Sequence, residues 1–439
     1  MADARETAVR VLMAVDRGAW SDLKIDAAIR KAGLDSRDAA FCTAICAGVL
    51  QNRALLDYQI AAYSSLRLNK ISPFVLNVLR AAAYQLLYMD RVPHAAAVNT
   101  AVAMIRHSAN AKAAGFANAV LRRISEHRND LRLPDVHDRV QYLSVRYSHP
   151  EWLVTYFLER LGDEAEAALA ANNAVPPVTA RVNTLKAKYD DVVQDLMSEG
   201  VTVQAHKYLQ DALLLSHTGS IEALQAFRRG LIAIQDTASQ LDVLALDPQP
   251  GEQMLDMCAA PGGKTFAAAA CMKNTGSIVA CDIYERRLAS IEKDAVRLGV
   301  ETVTTRLSDG TVLNPAFKAR FDRVLADVPC SGMGVIRRKP EIRYKKLEEI
   351  KKLPAVQSAI LASAAHALKT GGIVVYSTCS VMEEENEDVV RDFLSRHQDF
   401  EPVPFSLPGG IHAPEGMVTL WPHRNGTDGF FISKLVKRN

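Results

Sequence analysis

From about Ala233 onward the chain alternates short apolar runs with amphipathic stretches, and no other feature restricts its fold as strongly. The runs are "QMLDMC", "GSIVACD", "ETVTTRLSD", "DRVLADVP" and "GGIVVYSTC", and helical patterns such as Glu285–Leu298 and Val356–Leu368 separate them. Apolar strands joined by helices predict a parallel sheet covered on both faces. Open sheets of this kind bind ligands beyond the carboxyl ends of their strands. Here those ends carry Asp or Cys, so chemistry is expected there.

Upstream the pattern differs. Up to about Leu133 apolar residues recur at helical spacing, as in Val9, Leu12 and Met13, then Leu55, Leu56 and Ile60, then Leu76, Leu79 and Leu86. Gly18, Gly33, Pro73, Pro93 and Gly115 punctuate this into short helices. A further helical piece, 152–173, stops at the prolines of "NNAVPPVTARVNTLK". "TARVNT", a helix near Tyr189–Ser198 and "ALLLSH" then suggest a small α+β module. The expected division is an all-α part at 1–133, a helical linker with the α+β module at 134–232, and a Rossmann-like α/β part at 233–439.

Charge follows this division. The net charge of +2 conceals +7 over residues 1–133, −4 over 134–235 and −1 over 236–439, and the basic first part points to a polyanionic partner. The start, "MADARETAVRV", carries charges where a signal peptide needs an apolar core, and no run of about 18 apolar residues follows. A cytoplasmic, monomeric protein with no membrane role is expected. Seven cysteines, without a CxxC, fit reduced thiols.

"LDMCAAPGGKT" follows the first α/β strand and opens a helix, and Gly262 and Gly263 let a ligand approach backbone N–H groups. A P-loop would need glycine at residue 258, which is Cys258, and G-x-G-x-x-G is absent. The following strands instead end in Asp282, suited to a ribose diol, and Asp309, suited to an adenine amino group. Acids around a nucleoside without a phosphate cradle suit S-adenosylmethionine (SAM), whose sulfonium is cationic.

"ADVPCSG" places Asp327 and Cys330 after the fourth strand, and "STCS" places Cys379 after the fifth. Adjacent strands lie about 5 Å apart, so both thiols can share a pocket. Amino-group methylation needs no thiol. Carbon 5 of a pyrimidine does, because a thiolate adding at carbon 6 makes carbon 5 nucleophilic; Asp327 suits the proton or hydrogen bond needed near N3. Spacing alone does not rank the two thiols. Cys379 needs help to ionise, expected from helix-start N–H groups or a bound cation, while Glu383–Glu385 read as first-turn acids of a helix 385–397. Cys42, Cys46, Cys258, Cys271 and Cys281 read as small buried hydrophobes. A zinc deaminase would need a cysteine at 333, which is Met333, so no metal is expected. Arg337–Lys352, with eight basic and three acidic side chains, is expected to line the pocket mouth and meet a nucleic acid backbone, with Tyr344 stacking or packing.

"DMCAAPGGKT", "DVPCSGMGVIRRKPEI", "YSTCSVMEEEN" and "DGFFISKL" together closely resemble bacterial RNA cytosine-5 methyltransferases of the RsmB (Sun, Fmu) type. "CTAICAGVLQNRALLDYQI" and "GFANAVLRRI" are similar to that family's NusB-like helical domain, and "YSHPEWLV" and "RVNTLK" to its middle segment. The resemblance implies SAM contacts from Cys258, Ala259, Ala260, Pro261, Gly262, Gly263, Lys264, Asp282, Asp309 and Asp327. It also implies Cys379 as nucleophile, Cys330 assisting proton removal or product release, and 16S ribosomal RNA, naked or in early assembly, as partner. The alternatives are a non-enzymatic, antitermination-type RNA-binding assembly factor, or the same chemistry on tRNA or another rRNA cytosine.

Overall fold

A computed structural model describes residues 3–18 and 21–438. By contact the chain forms two compact units, Met1–Ala174 with Ile336–Tyr344, and Val175–Val335 with Lys345–Asn439.

The first unit is helical. Among the described residues, seven α-helices between Ala4 and Glu126 enclose a core that includes Leu12, Ile45, Leu56, Leu79, Ile105 and Leu121. Local chemistry sets their ends. Ser72 accepts the Val75 N–H and Pro73 opens the helix Pro73–Tyr88, where its missing N–H costs nothing. Gly115, expected as a break, instead lies inside Ala114–Glu126. The expected helix at 152–173 is interrupted: Glu151–Leu161 ends at Gly162, with φ +56°, before Ala165–Ala171 resumes. Ile336–Tyr344 completes this unit. The Arg343 side chain is buried, and its guanidinium donates to the carbonyls of Gln51 (3.0 Å) and Ser148 (3.0 Å) and to Asn173 Oδ1 (2.9 Å). The Tyr344 hydroxyl donates to the Leu50 carbonyl at 2.9 Å.

The second unit begins with β1 (Val178–Val182), β2 (Thr202–Ala205), β3 (Ala212–Ser216) and β4 (Ile232–Ile234), an antiparallel sheet in the order β2-β3-β1-β4, with the helix Tyr189–Ser198 between β1 and β2. The larger sheet comprises β5 (Gln253–Asp256), β6 (Ser277–Asp282), β7 (Val303–Leu307), β8 (Phe321–Asp327), β9 (Leu368–Thr378) and β10 (Phe400–Pro402); after a hairpin of β11 (Phe405–Leu407) and β12 (Ile411–Ala413) it gains β13 (Met417–Leu420) and β14 (Phe430–Lys437). Its order is β10-β14-β9-β8-β5-β6-β7, with β13 also on β14. The five strands anticipated from the apolar runs, β5 to β9, are mutually parallel, and β14 returns antiparallel to β9 with Phe431 opposite Thr378. Separate apolar clusters around Phe266 and Ile291 and around Phe321 and Leu361 account for the continuous apolarity of the central strands.

Candidate active site

The loop after β5 leads into the helix Gly263–Cys271, and its sharp entry depends on glycine: Gly262 holds φ +103°, and a Cβ there would stand 2.6 Å from the Phe266 ring. Two cavities, of about 210 and 590 Å³, share Cys258, Ala260, Lys264 and Asp327 as wall. The smaller is also lined by Ala259, Pro261 and Gly263, and the larger by Asp282, Asp309, Cys330 and Cys379. Every candidate catalytic or cofactor-contacting residue from the sequence except Gly262 therefore faces one of these two spaces, and Gly262 shapes the loop between them.

The acids differ in freedom. Asp282 is nearly buried and accepts the Tyr284 N–H at 2.9 Å. Asp309 is exposed and accepts the Thr311 hydroxyl (2.7 Å) and N–H (2.9 Å), which hold it below the usual carboxylate range.

The thiols meet because β8 and β9 are parallel with Asp327 opposite Ser377, so the chain just beyond both strand ends converges. Cys330 Sγ and Cys379 Sγ are 3.0 Å apart. A hydrogen bond from the Cys330 thiol lowers the pKa of Cys379 despite burial, with the Lys264 charge assisting, and the same bond together with burial raises that of Cys330. The help Cys379 receives thus comes chiefly from its neighbouring thiol, a source the sequence reading did not consider.

Glu385 corrects a second expectation. The helix starts at Glu387, and Glu385 belongs to a separate 3-10 turn, Glu383–Glu385, with its carboxylate fully buried. It accepts the Ser331 N–H (2.7 Å), the Gln357 amide (2.9 Å) and the hydroxyls of Ser331 and Ser380. Since Ser331 follows Cys330 and Ser380 follows Cys379, this one carboxylate ties the two thiol loops together.

Beneath the thiols, Lys264 Nζ lies 2.6 Å from Asp327 Oδ2 and 2.9 Å from Asp242 Oδ2, and 4.4 Å from the centroid of the Phe430 ring. Burial alone would weaken the hold of Lys264 on its proton, but the two carboxylates outweigh it and raise the pKa. Burial pushes Asp242 up to about 6 and Asp256 up to about 7. Asp242, Phe430 and Glu385 were missed from the sequence. "TASQLD" carries no signal for Asp242, "DGFF" offered an aromatic, and the acidic run concealed Glu385.

The basic segment also departs from expectation. Arg343 is buried and Tyr344 half-buried in the first unit, where desolvation brings Arg343 down to about 10 and Tyr344 up to about 12, and no residue of Arg337–Lys352 lines either cavity.

Residues 243–436 match the family model "16S rRNA methyltransferase RsmB/F", residues 2–126 the "NusB family", and residues 149–222 the "Methyltr_RsmF/B-like, ferredoxin-like domain". The chain is 35% identical to the "Probable ribosomal RNA small subunit methyltransferase B" of Bacillus subtilis (strain 168), over 99% of this chain and 98% of that protein. It is 34% identical to the "Ribosomal RNA small subunit methyltransferase B" of Pectobacterium carotovorum subsp. carotovorum (strain PC1), over 92% of each. The crystal structure of PH0851 superposes with a TM-score of 0.84 at 29% identity, over 99% of this chain and 98% of that one. With a NusB-like helical domain, a ferredoxin-like module and a Rossmann-like domain bearing this site, the chain belongs to the RsmB/F family of SAM-dependent 16S rRNA methyltransferases.

Proposed function

We propose that the chain transfers a methyl group to carbon 5 of a cytosine in small-subunit (16S) ribosomal RNA, the substrate named for the matching family, through a bond between Cys379 and carbon 6. The observation that carries this reading is the pair of thiols 3.0 Å apart in a cavity that Asp327 also lines. Methylation of an amino group has no use for them.

The residues present fit SAM. Asp282 and Asp309 are placed to accept from hydroxyl and amino groups, the small side chains from Ala259 to Gly263 leave backbone accessible, and Asp327 suits a cation. When bound, the cofactor supplies an electrophilic methyl group. Asp327 hydrogen-bonds the cytosine near N3 and draws electron density toward it. The Cys379 thiolate adds to carbon 6, and the electron pair of the carbon 5–carbon 6 double bond becomes available at carbon 5 to take the methyl. The carbon-5 proton then passes to solvent, its bonding pair re-forms the ring double bond, and the carbon–sulfur bond breaks with its pair returning to Cys379. The Cys330 hydrogen bond that favours the Cys379 thiolate before attack favours it again as leaving group. The first unit, whose NusB-like part is basic, helps hold the RNA.

The test is mapping of 5-methylcytosine in ribosomal RNA from cells with and without the protein. Loss of one small-subunit modification, restored by the wild-type chain, is expected, and no lost modification sinks the reading. Cys379→Ala should abolish methyl transfer while SAM still binds. Cys330→Ala should accumulate a protein–RNA adduct that survives denaturing electrophoresis; an adduct with Cys379→Ala instead would mean the roles are reversed.

A further inference from the structure

Asp242 has no place in the chemistry above, yet it is buried against the group that holds Asp327. It lies on the helix Thr237–Leu246, wholly shielded from solvent. Its Oδ2 stands 2.9 Å from Lys264 Nζ and 2.8 Å from the Ser377 hydroxyl, which donates to it; the same hydroxyl is 3.5 Å from Asp327 Oδ1. Lys264 Nζ is in turn 2.6 Å from Asp327 Oδ2. Two carboxylates therefore share one ammonium.

We infer that Asp242 is a positioning residue that keeps a proton available at Asp327, and this rests on the proposed cytosine chemistry. A lone Lys–Asp pair is neutral with both groups ionised, so protonating its carboxylate leaves an uncompensated ammonium. With Asp242 added, the ionised cluster carries one excess negative charge in a shielded place, and a single proton neutralises it. Asp242 is sealed in, whereas the Asp327 side chain keeps about a third of its surface. Burial holds the shared proton at Asp242, and a ring nitrogen arriving at Asp327 draws it across the common ammonium, Lys264 giving a proton to Asp327 and taking one from Asp242. The other ionisable groups around the cluster are Asp256, Cys258, Cys330, Cys379 and Glu385. Asp256 and the thiols are common to the wild type and the variants below, so they cancel in the comparison.

The test is the pH dependence of single-turnover methyl transfer from tritiated SAM to RNA by the full chain, with Asp242→Asn and Ser377→Ala beside the wild type. Asp242→Asn should move the alkaline limb of the rate profile down by about one pH unit. Transfer should fall roughly tenfold at pH 8 and approach the wild-type rate near pH 6, with the apparent affinities for SAM and RNA within about twofold of wild type. Ser377→Ala, which withdraws a donor from the Asp242 carboxylate and draws the shared proton toward it, should shift the same limb by less. A profile that superimposes on the wild type, or a pH-independent loss that follows a lowered melting temperature, overturns the inference. Nucleoside mass spectrometry of the product tests the carbon-5 assignment separately, because tritium transfer registers whichever atom receives the methyl.

Discussion

Asp256 ends β5 fully buried, with one oxygen accepting the Thr265 hydroxyl at 2.6 Å. Burial pushes its pKa up to about 7, against about 3.9 for an unfolded aspartate. The folded chain therefore holds this proton more tightly than the unfolded one. The stability it contributes is fully present below the unfolded value and is lost as pH rises through about 7. Asp256→Asn should flatten this loss, so that its melting temperature changes less between pH 5 and pH 8 than that of the wild type; an unchanged difference would show that Asp256 does not carry it. At this scale the groups proposed to react were legible in the sequence while the side chains that hold them were not. Cys330, Cys379 and Asp327 announce themselves because each follows an apolar strand whose end must face a crevice. Asp242 sits within an ordinary helical pattern, and the part inferred for it arises only because that helix lays it against Lys264.

The elements that bring the thiols together cross at two glycines. The Gly334 N–H donates to the Cys379 carbonyl at 2.9 Å, and the Gly429 N–H donates to the Gly334 carbonyl at 2.8 Å, so the loop after β8 is pinned both to the end of β9 and to the start of β14. A Cβ on Gly334 would stand 1.9 Å from the Gly429 carbonyl oxygen. Gly334→Ala should cost about 1–3 kcal/mol in denaturant unfolding. It should also reduce methyl transfer more than SAM affinity, because the shift falls on Cys379 rather than on the loop after β5; equal losses would count against this arrangement. The parallel strands were legible from their apolar runs and the helices between them. β14 was not read as a strand, since its place depends on pairing with β9, some fifty residues earlier in the chain. The separation of Glu385 from its neighbouring acids is likewise tertiary, set by the serines and the glutamine that reach it.

Across the whole molecule, the alternation of charge and pattern separated a basic helical beginning from an α/β end, and the family models fall on the same three kinds of structure. What composition concealed is that one cation of a segment rich in positive charge, Arg343, is buried among helix ends. Arg343 satisfies backbone carbonyls at helix ends in the first unit, and removing it strands them away from water. Arg343→Met should lower the unfolding free energy of that unit by about 3 kcal/mol, measured by denaturant titration of the full chain. A change under about 0.5 kcal/mol would return the segment to the surface role first expected of it. The same feature bears on how the chain is made. Helices up to Ala171 leave the ribosome long before Arg343 exists, so the first unit waits, with the carbonyls of Gln51 and Ser148 open to water, until 336–344 has been synthesised. A fragment cut at residue 174 would remain in that waiting state, and a peptide spanning 336–344, added in trans, is the piece that would close it.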